Sequence, residues 1–334
     1  MSIQQMFLGV GAGGINPRDY FDTKLYTGNG STQSITGLGF SPDLLWIKNR
    51  AASVNHQLHD TIRGASKGFN SNNNNAEYTD VDAVTSFDAN GWSMDNNYNS
   101  HNQSTVSYVG WAWNAGGSTV SNTDGSITSS VRANTDAGFS IVSYTGNGTA
   151  GETVGHGLNA APDLIIVKNR DKGTEGYWAV RHSSVGSAYL LLDLANQQGT
   201  NTGVWTSTSP TSSVFSVGSS WAVNNSTDVY MAYCWSEVAG FSKFGSYTGS
   251  GVSGKEITLG FRPSFVLIKR YNTSGYWNIV DSERGGGEAL HPNLANAPST
   301  GGPWVTFNND SFTLTTTGDG YNDSLDTFMY AAWA

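Results

Sequence analysis

Apolar and polar positions along this chain follow a pattern that recurs three times. Pro42-Asp-Leu-Leu-Trp-Ile-Lys48-Asn-Arg50 returns as Pro162-Asp-Leu-Ile-Ile-Val-Lys168-Asn-Arg170, and again as Pro263-Ser-Phe-Val-Leu-Ile-Lys269-Arg270. Each copy has a proline stop, a run of β-branched or aromatic apolar residues, then a lysine. An uninterrupted apolar run cannot be one face of a half-wet strand. It predicts a short strand covered on both sides, ending where a charge can reach water. The proline entry and the lack of 3.6-residue periodicity argue against a helical turn.

Two further landmarks keep register with these runs. The opening Tyr26-Thr-Gly-Asn-Gly30 recurs as Tyr144-Thr-Gly-Asn-Gly148 and Tyr247-Thr-Gly-Ser-Gly251. The closing Val109-Gly-Trp-Ala-Trp113 recurs as Met231-Ala-Tyr-Cys-Trp235 and Met329-Tyr-Ala-Ala-Trp333. From tyrosine to lysine the spacing is 22, 24 and 22 residues, which is a strong internal repeat. A period near a hundred residues exceeds the roughly 20–50 of solenoid and propeller repeats. The expected fold is therefore all-β: three tandem antiparallel β-sandwich, jelly-roll-like repeats of about 100 residues, each with its own core. The expected boundaries are an amino-terminal extension over 1–17, repeats over 18–115, 137–236 and 237–334, and a linker over 116–136. Residues 137–236 are then expected to fold alone. Ser86 to Met94 alternates around Asn90-Gly91 and predicts a hairpin. Ala188 to Gln197 is the best short helix candidate.

Composition agrees with short strands joined by turns: 41 glycines, 11 tryptophans, 15 tyrosines and 14 phenylalanines. With 17 basic against 26 acidic residues the net charge is −9, so the electrostatic footprint of a nucleic-acid binder is missing. The same balance disfavours contact with anionic membranes, and no apolar stretch is long enough to span one. The single cysteine, Cys234, lies in an apolar run and excludes an internal disulfide, which fits assembly in a cytoplasm. Residues 1–15 have neither the basic start nor the cleavage site of a signal peptide. Their apolar knot, Met6, Phe7 and Leu8, is a candidate docking peptide.

Candidate chemistry is sparse. Gly64-Ala-Ser66-Lys-Gly68 spells a nucleophile elbow, but no helix pattern follows and the serine does not recur. The spelling G-x-G-x-x-G at Gly146 and Gly249 opens no helix, so a glycine turn explains it. Neither His56 nor His59 sits in a zinc-binding context. Hard oxygen ligands for calcium could come from Asp80, Asp82, Asp88 and Asp95, or from Asp319, Asp323 and Asp326, although no EF-hand spacing is present. No cofactor is otherwise implied. Asn96, Tyr98, Asn99, His101 and Asn102 set an aromatic ring among amides, as shallow sugar sites do. Alternation places Lys48 on the face of Leu44 and Trp46, where it needs a partner or a route to water. The acid on the next element supplies one: Asp60 for Lys48 and Asp281 for Lys269, with His182 in the middle copy.

The frame of Tyr-Thr-Gly-x-Gly, Pro-Asp-Leu-x-x-x-Lys and a closing apolar-x-Ala-x-Trp resembles an uncharacterised repeat domain of structural proteins of tailed, mostly marine, bacteriophages. The opening Ser2-Ile-Gln-Gln-Met6 is similar to the start of such virion proteins. The resemblance spans essentially the whole chain and carries no catalytic residues; His182 departs from its pattern. It implies a non-enzymatic virion component, assembled in the host cytoplasm. The first expectation is a tail appendage or fibre-like protein exposed for host-surface contact, the alternative a capsid decoration protein. A glycan-active enzyme ranks third, since no carboxylate pair recurs. The implied partners are other virion proteins, further copies of the chain and a host-surface glycan, with no nucleic acid and no membrane insertion.

Overall fold

The three apolar runs are strands, Leu44–Asn49, Leu164–Asn169 and Phe265–Arg270, in a computed structural model that describes residues 15–334. The protein is all-β and its sheets are antiparallel; its described helices are the 3-10 turns Pro17–Asp19 and Ser183–Val185. Each run lies third in a four-strand array. In the first array the order is Phe21–Thr27, Ser107–Trp113, Leu44–Asn49 and Gln57–Asp60. The third runs Ser242–Thr248, Thr327–Trp333, Phe265–Arg270 and Trp277–Asp281. The second runs Phe139–Thr145, Val229–Trp235, Leu164–Asn169 and Ala179–His182, inside a seven-stranded sheet. Register is the same in all three: the closing tryptophans Trp113, Trp235 and Trp333 stand opposite Leu44, Leu164 and Phe265.

Both faces of each array are covered, which explains the unbroken apolar runs. Leu45 and Ile47 pack outward with Ile35, Trp92 and Met94, on the small sheet of Gln33–Thr36, Gly91–Met94 and Ser86–Asp88. Equivalent outer cores form around Ile165 and Val167, and around Val266 and Ile268. Leu44 and Trp46 point the other way, into one central core to which all three arrays contribute. Trp113, Trp235 and Trp333 meet there in a triangle, with ring centroids 5.8–6.1 Å apart and edge-to-face geometry. The sequence predicts separate cores; the structure adds this shared one, because the inner faces have nothing else to cover them.

Several local expectations need correction. The stretch 116–136 is no bare linker: Val120–Asn122 and Ser129–Asn134 extend the second sheet, and buried Ile127 and Val131 join its outer core. Arg132 from this stretch pairs with Asp43 of the first array at 2.7 Å. Residues 188–197 form no helix; Leu190–Leu191 is a short strand on Ala179–His182, whose pairing decides the conformation. The predicted hairpin is present, but Ala89 and Asn90 make its turn and Gly91 begins the return strand. There a Cβ would collide with the Ile35 carbonyl, so the glycine serves close strand approach. The docking residues Met6, Phe7 and Leu8 lie outside the described residues.

Candidate functional site

The charged residues singled out above do not form the pairs expected of them. Asp60 accepts from Arg63 Nε at 2.5 Å and from the Tyr233 hydroxyl of the second array at 2.8 Å. Asp281 accepts from Arg284 Nε at 2.6 Å and from the Trp111 indole of the first array at 3.0 Å. Side chains of both ion pairs are fully buried. His182, at the same place in the second array, faces the Tyr330 carbonyl of the third through Nε2 at 3.1 Å. Its Nδ1 accepts from the Ser184 amide, so Nε2 carries the proton, and burial pushes its pKa down to about 4. The exchange is consistent: where Trp111 and Tyr233 offer a donor, the third array has Ala331, and the facing acid is replaced by a donor.

Lys48, Lys168 and Lys269 are fully buried and pair with no carboxylate among the described residues. Each ammonium caps a carbonyl of a neighbouring array: Lys48 reaches Ala295 at 3.1 Å, Lys168 Asn74 at 3.3 Å, and Lys269 Ala195 at 3.0 Å. The Lys48–Asp60 and Lys269–Asp281 pairs are therefore corrected. The lysines bend along the seams, while the acids turn to an arginine three residues on. Together with the Asp and His contacts they close a ring of contacts, first to second, second to third and third to first.

Burial, with lesser opposing or reinforcing charges nearby, lowers all three lysines from 10.5 to about 7. Between those values the unfolded chain binds protons that the native protein lacks, so stability rises with pH from about 7. Buried Cys234 and the buried tyrosines, such as Tyr233, have raised pKa values. They keep protons that the unfolded chain sheds, which reverses the trend at higher pH. Urea unfolding at pH 7 and pH 9 should show the rise, and Lys48→Met should flatten it by about 1.4 kcal/mol per pH unit per proton removed. An unchanged slope in Lys48→Met would mean the native lysine stays charged.

Of the five residues read as a sugar-binding stretch, the structure brings two to an open site. Tyr98, 54% exposed, and Asn99 line a cleft of about 500 Å3 with Gln57, Asn70, Tyr78 and Asp80. Asn96 holds its own loop, with φ +65° and its amide 3.3 Å from Asp82. His101 is buried with Nδ1 3.1 Å from Ser100 Oγ. Asn102 is buried too, accepting from the Asn29 amide and donating to the Ser31 carbonyl at 2.6 Å. Asn224 and Asn322 clamp the other two Thr-Gly-x-Gly turns in the same way. Asn102 is thus a turn clamp and His101 is buried, so neither belongs to the open site.

A second cleft, of about 710 Å3, went unrecognised in the sequence. It is lined by Arg270, Tyr276, Asn278, His291, Trp304 and Tyr321, among others, and Ala195 of the second array closes one edge. Trp304 and Tyr321 stack at 5.9 Å and 11°. His291 is fully engaged, with Nδ1 3.0 Å from the Trp277 carbonyl and Nε2 3.0 Å from Ser299 Oγ. Arg270 is neutralised by Asp326 at 3.0 Å and Asp323 at 3.5 Å. The two clefts occupy one place in the array. Gln57 stands opposite Ile47 and Asn278 opposite Ile268, each one residue before the recurring lysine. Asn70 and His291 each follow a matching bridge, Leu58 to Phe69 and Ile279 to Leu290. In the second array the corresponding positions are Ala179 and Leu191, which offer no polar group. A signal was present in the polar residues beside His56 and Trp277, but only pairing shows that they share a position.

The carboxylates considered for calcium are not gathered: no metal-holding group of three or more histidine, cysteine or acidic residues occurs among the described residues. Asp88 instead accepts from Ser86 and Ser93 hydroxyls, at 2.7 and 2.6 Å. In the Gly64-Ala-Ser66 turn, His59 Nδ1 lies 2.9 Å from the Ala65 carbonyl, so that imidazole nitrogen is already engaged away from Ser66. The model of one protein family, described as a domain of unknown function (DUF7483), matches residues 16–334. No curated protein and no solved structure matches the chain.

Proposed function

We propose that this chain, which belongs to the DUF7483 family over nearly its whole length, is a non-enzymatic structural protein of a bacteriophage particle, most simply a tail appendage exposed for host-surface contact. We read its fold as three tandem antiparallel β-sandwich repeats, of which the first and third present a surface cleft. One observation carries the non-enzymatic reading. Asp60, Asp281, Lys48, Lys168 and Lys269 are engaged in joining the arrays, whereas the clefts are lined mainly by aromatic rings and amides, with Arg270 already paired. Such a division suits a rigid body that binds through its surface. The phage assignment rests on the recurring Tyr-Thr-Gly-x-Gly, Pro-Asp-Leu and closing tryptophan motifs. Met6, Phe7 and Leu8 would dock the body to other virion proteins. Immunogold labelling of particles with antibody to this chain tests the reading. Label on the tail is expected; label on the head would make it a capsid decoration protein, and unlabelled particles would overturn the virion assignment.

A further inference from the structure

We propose that the cleft of the third array is a binding site for a neutral pyranose saccharide, and that the cleft of the first array is a second copy of it. This deepens the surface-contact reading and rests on it for its biological meaning. The ring faces come first: Trp304, backed by the stacked ring of buried Tyr321, offers one, and Tyr276, 52% exposed and 5.4 Å from His291, offers another. A pyranose presents C–H surface to such rings and hydroxyls around its rim. Unmet hydrogen-bonding capacity comes second. Tyr321 is 2% exposed, yet its hydroxyl has no partner. Asn278 donates to the Tyr276 and Gly320 carbonyls, both at 3.3 Å, and its carbonyl oxygen takes no hydrogen bond among the described residues. A buried phenol without a partner costs free energy that a ligand hydroxyl would recover.

The first cleft repeats these features with different residues. Gln57 Oε1 is buried without a partner, Asn70 lies in the lining, and Tyr98 supplies the exposed ring. That Gln57 and Asn278 share one register position and Asn70 and His291 another, where the remaining array has Ala179 and Leu191, marks the polar lining of the clefts as a built feature. Charge selects the ligand class. Arg270 is already paired with two carboxylates, and Asp319 and Asp80 add negative charge to the walls. Uronic and sialic acids would meet no free cation there, so neutral hexoses and N-acetylhexosamines fit best.

The test uses the full chain against a printed panel of neutral and acidic oligosaccharides, with saturation-transfer NMR on any that bind. Neutral members should bind and acidic ones should not. Tyr276→Ala and Tyr98→Ala, both at exposed positions, should each lose one of two sites, and the double variant both. At its own site each loss should be about tenfold or more. Tyr321→Phe keeps the packing and removes the orphaned hydroxyl; it should weaken binding while leaving thermal stability equal or higher, which a merely structural hydroxyl would not do. Failure of every neutral member to bind, a preference for acidic glycans, or full binding by the double variant would overturn the proposal. None of those outcomes bears on the particle location, and unlabelled particles with saccharide binding retained would overturn the virion reading alone.

Discussion

Asp60→Asn is expected to destabilise the protein by about 3 kcal/mol, the cost of removing the close partner of a buried charge. Asp60 and Arg63 have fully buried side chains, and the carboxylate also accepts from two backbone amides and from Tyr233. Removing its charge leaves the guanidinium, 3.9 Å over the Phe69 ring, with only the more distant Glu77 carboxylate at 3.5 Å as counter-charge. His182→Asn, at the same place in the second array, loses neutral hydrogen bonds alone and should cost about 1–3 kcal/mol. Urea unfolding of both variants checks the difference. A double-mutant cycle of Asp60→Asn with Tyr233→Phe should give coupling above about 1 kcal/mol. The cycle with Lys48→Met should give near zero, since Lys48 bonds to carbonyls instead. Equal costs at the two positions would show that the Asp60 pair is effectively hydrated.

The second large effect concerns independence of the parts. Residues 117–236 expressed alone should fail to unfold cooperatively, although they carry a complete seven-stranded sheet and an outer core. Cutting them out bares Ile141, Leu164, Ile166, Val180, Tyr233 and Trp235, which the intact protein buries in the central core. An exposed apolar face of that extent favours association over a folded monomer. Near-UV circular dichroism and sedimentation of the fragment provide the measurement. A monomer with a sigmoidal urea transition would instead show that the outer core suffices.

Part of the acid–arginine arrangement is legible in the residue spacing. Asp60-Thr-Ile-Arg63 and Asp281-Ser-Glu-Arg284 share an i,i+3 spacing, and His182-Ser-Ser-Val185 lacks both charges. A local pair of this kind competes well with a distant lysine, because closing it orders few residues. Alternation places Lys48 beside Leu44 and Trp46. Alternation does not say that this face points at the centre of the molecule and away from water, which is what buries the lysine.

Residue pattern is enough to set the strands, their apolar character on both faces and the recurring turns. Those depend on side chains a few residues apart, and steric and burial preferences act locally along the chain. Tertiary structure alone decided what covers the inner faces, and so whether the parts share a core. It also decided which group reaches Asp60 from Tyr233 or Asp281 from Trp111, each 170 or more residues away. The clefts belong to the same category. Asn278, His291 and Tyr321 become neighbours only when one strand and two distant loops meet at a seam, and contact across a seam is a property of packing that no local pattern encodes.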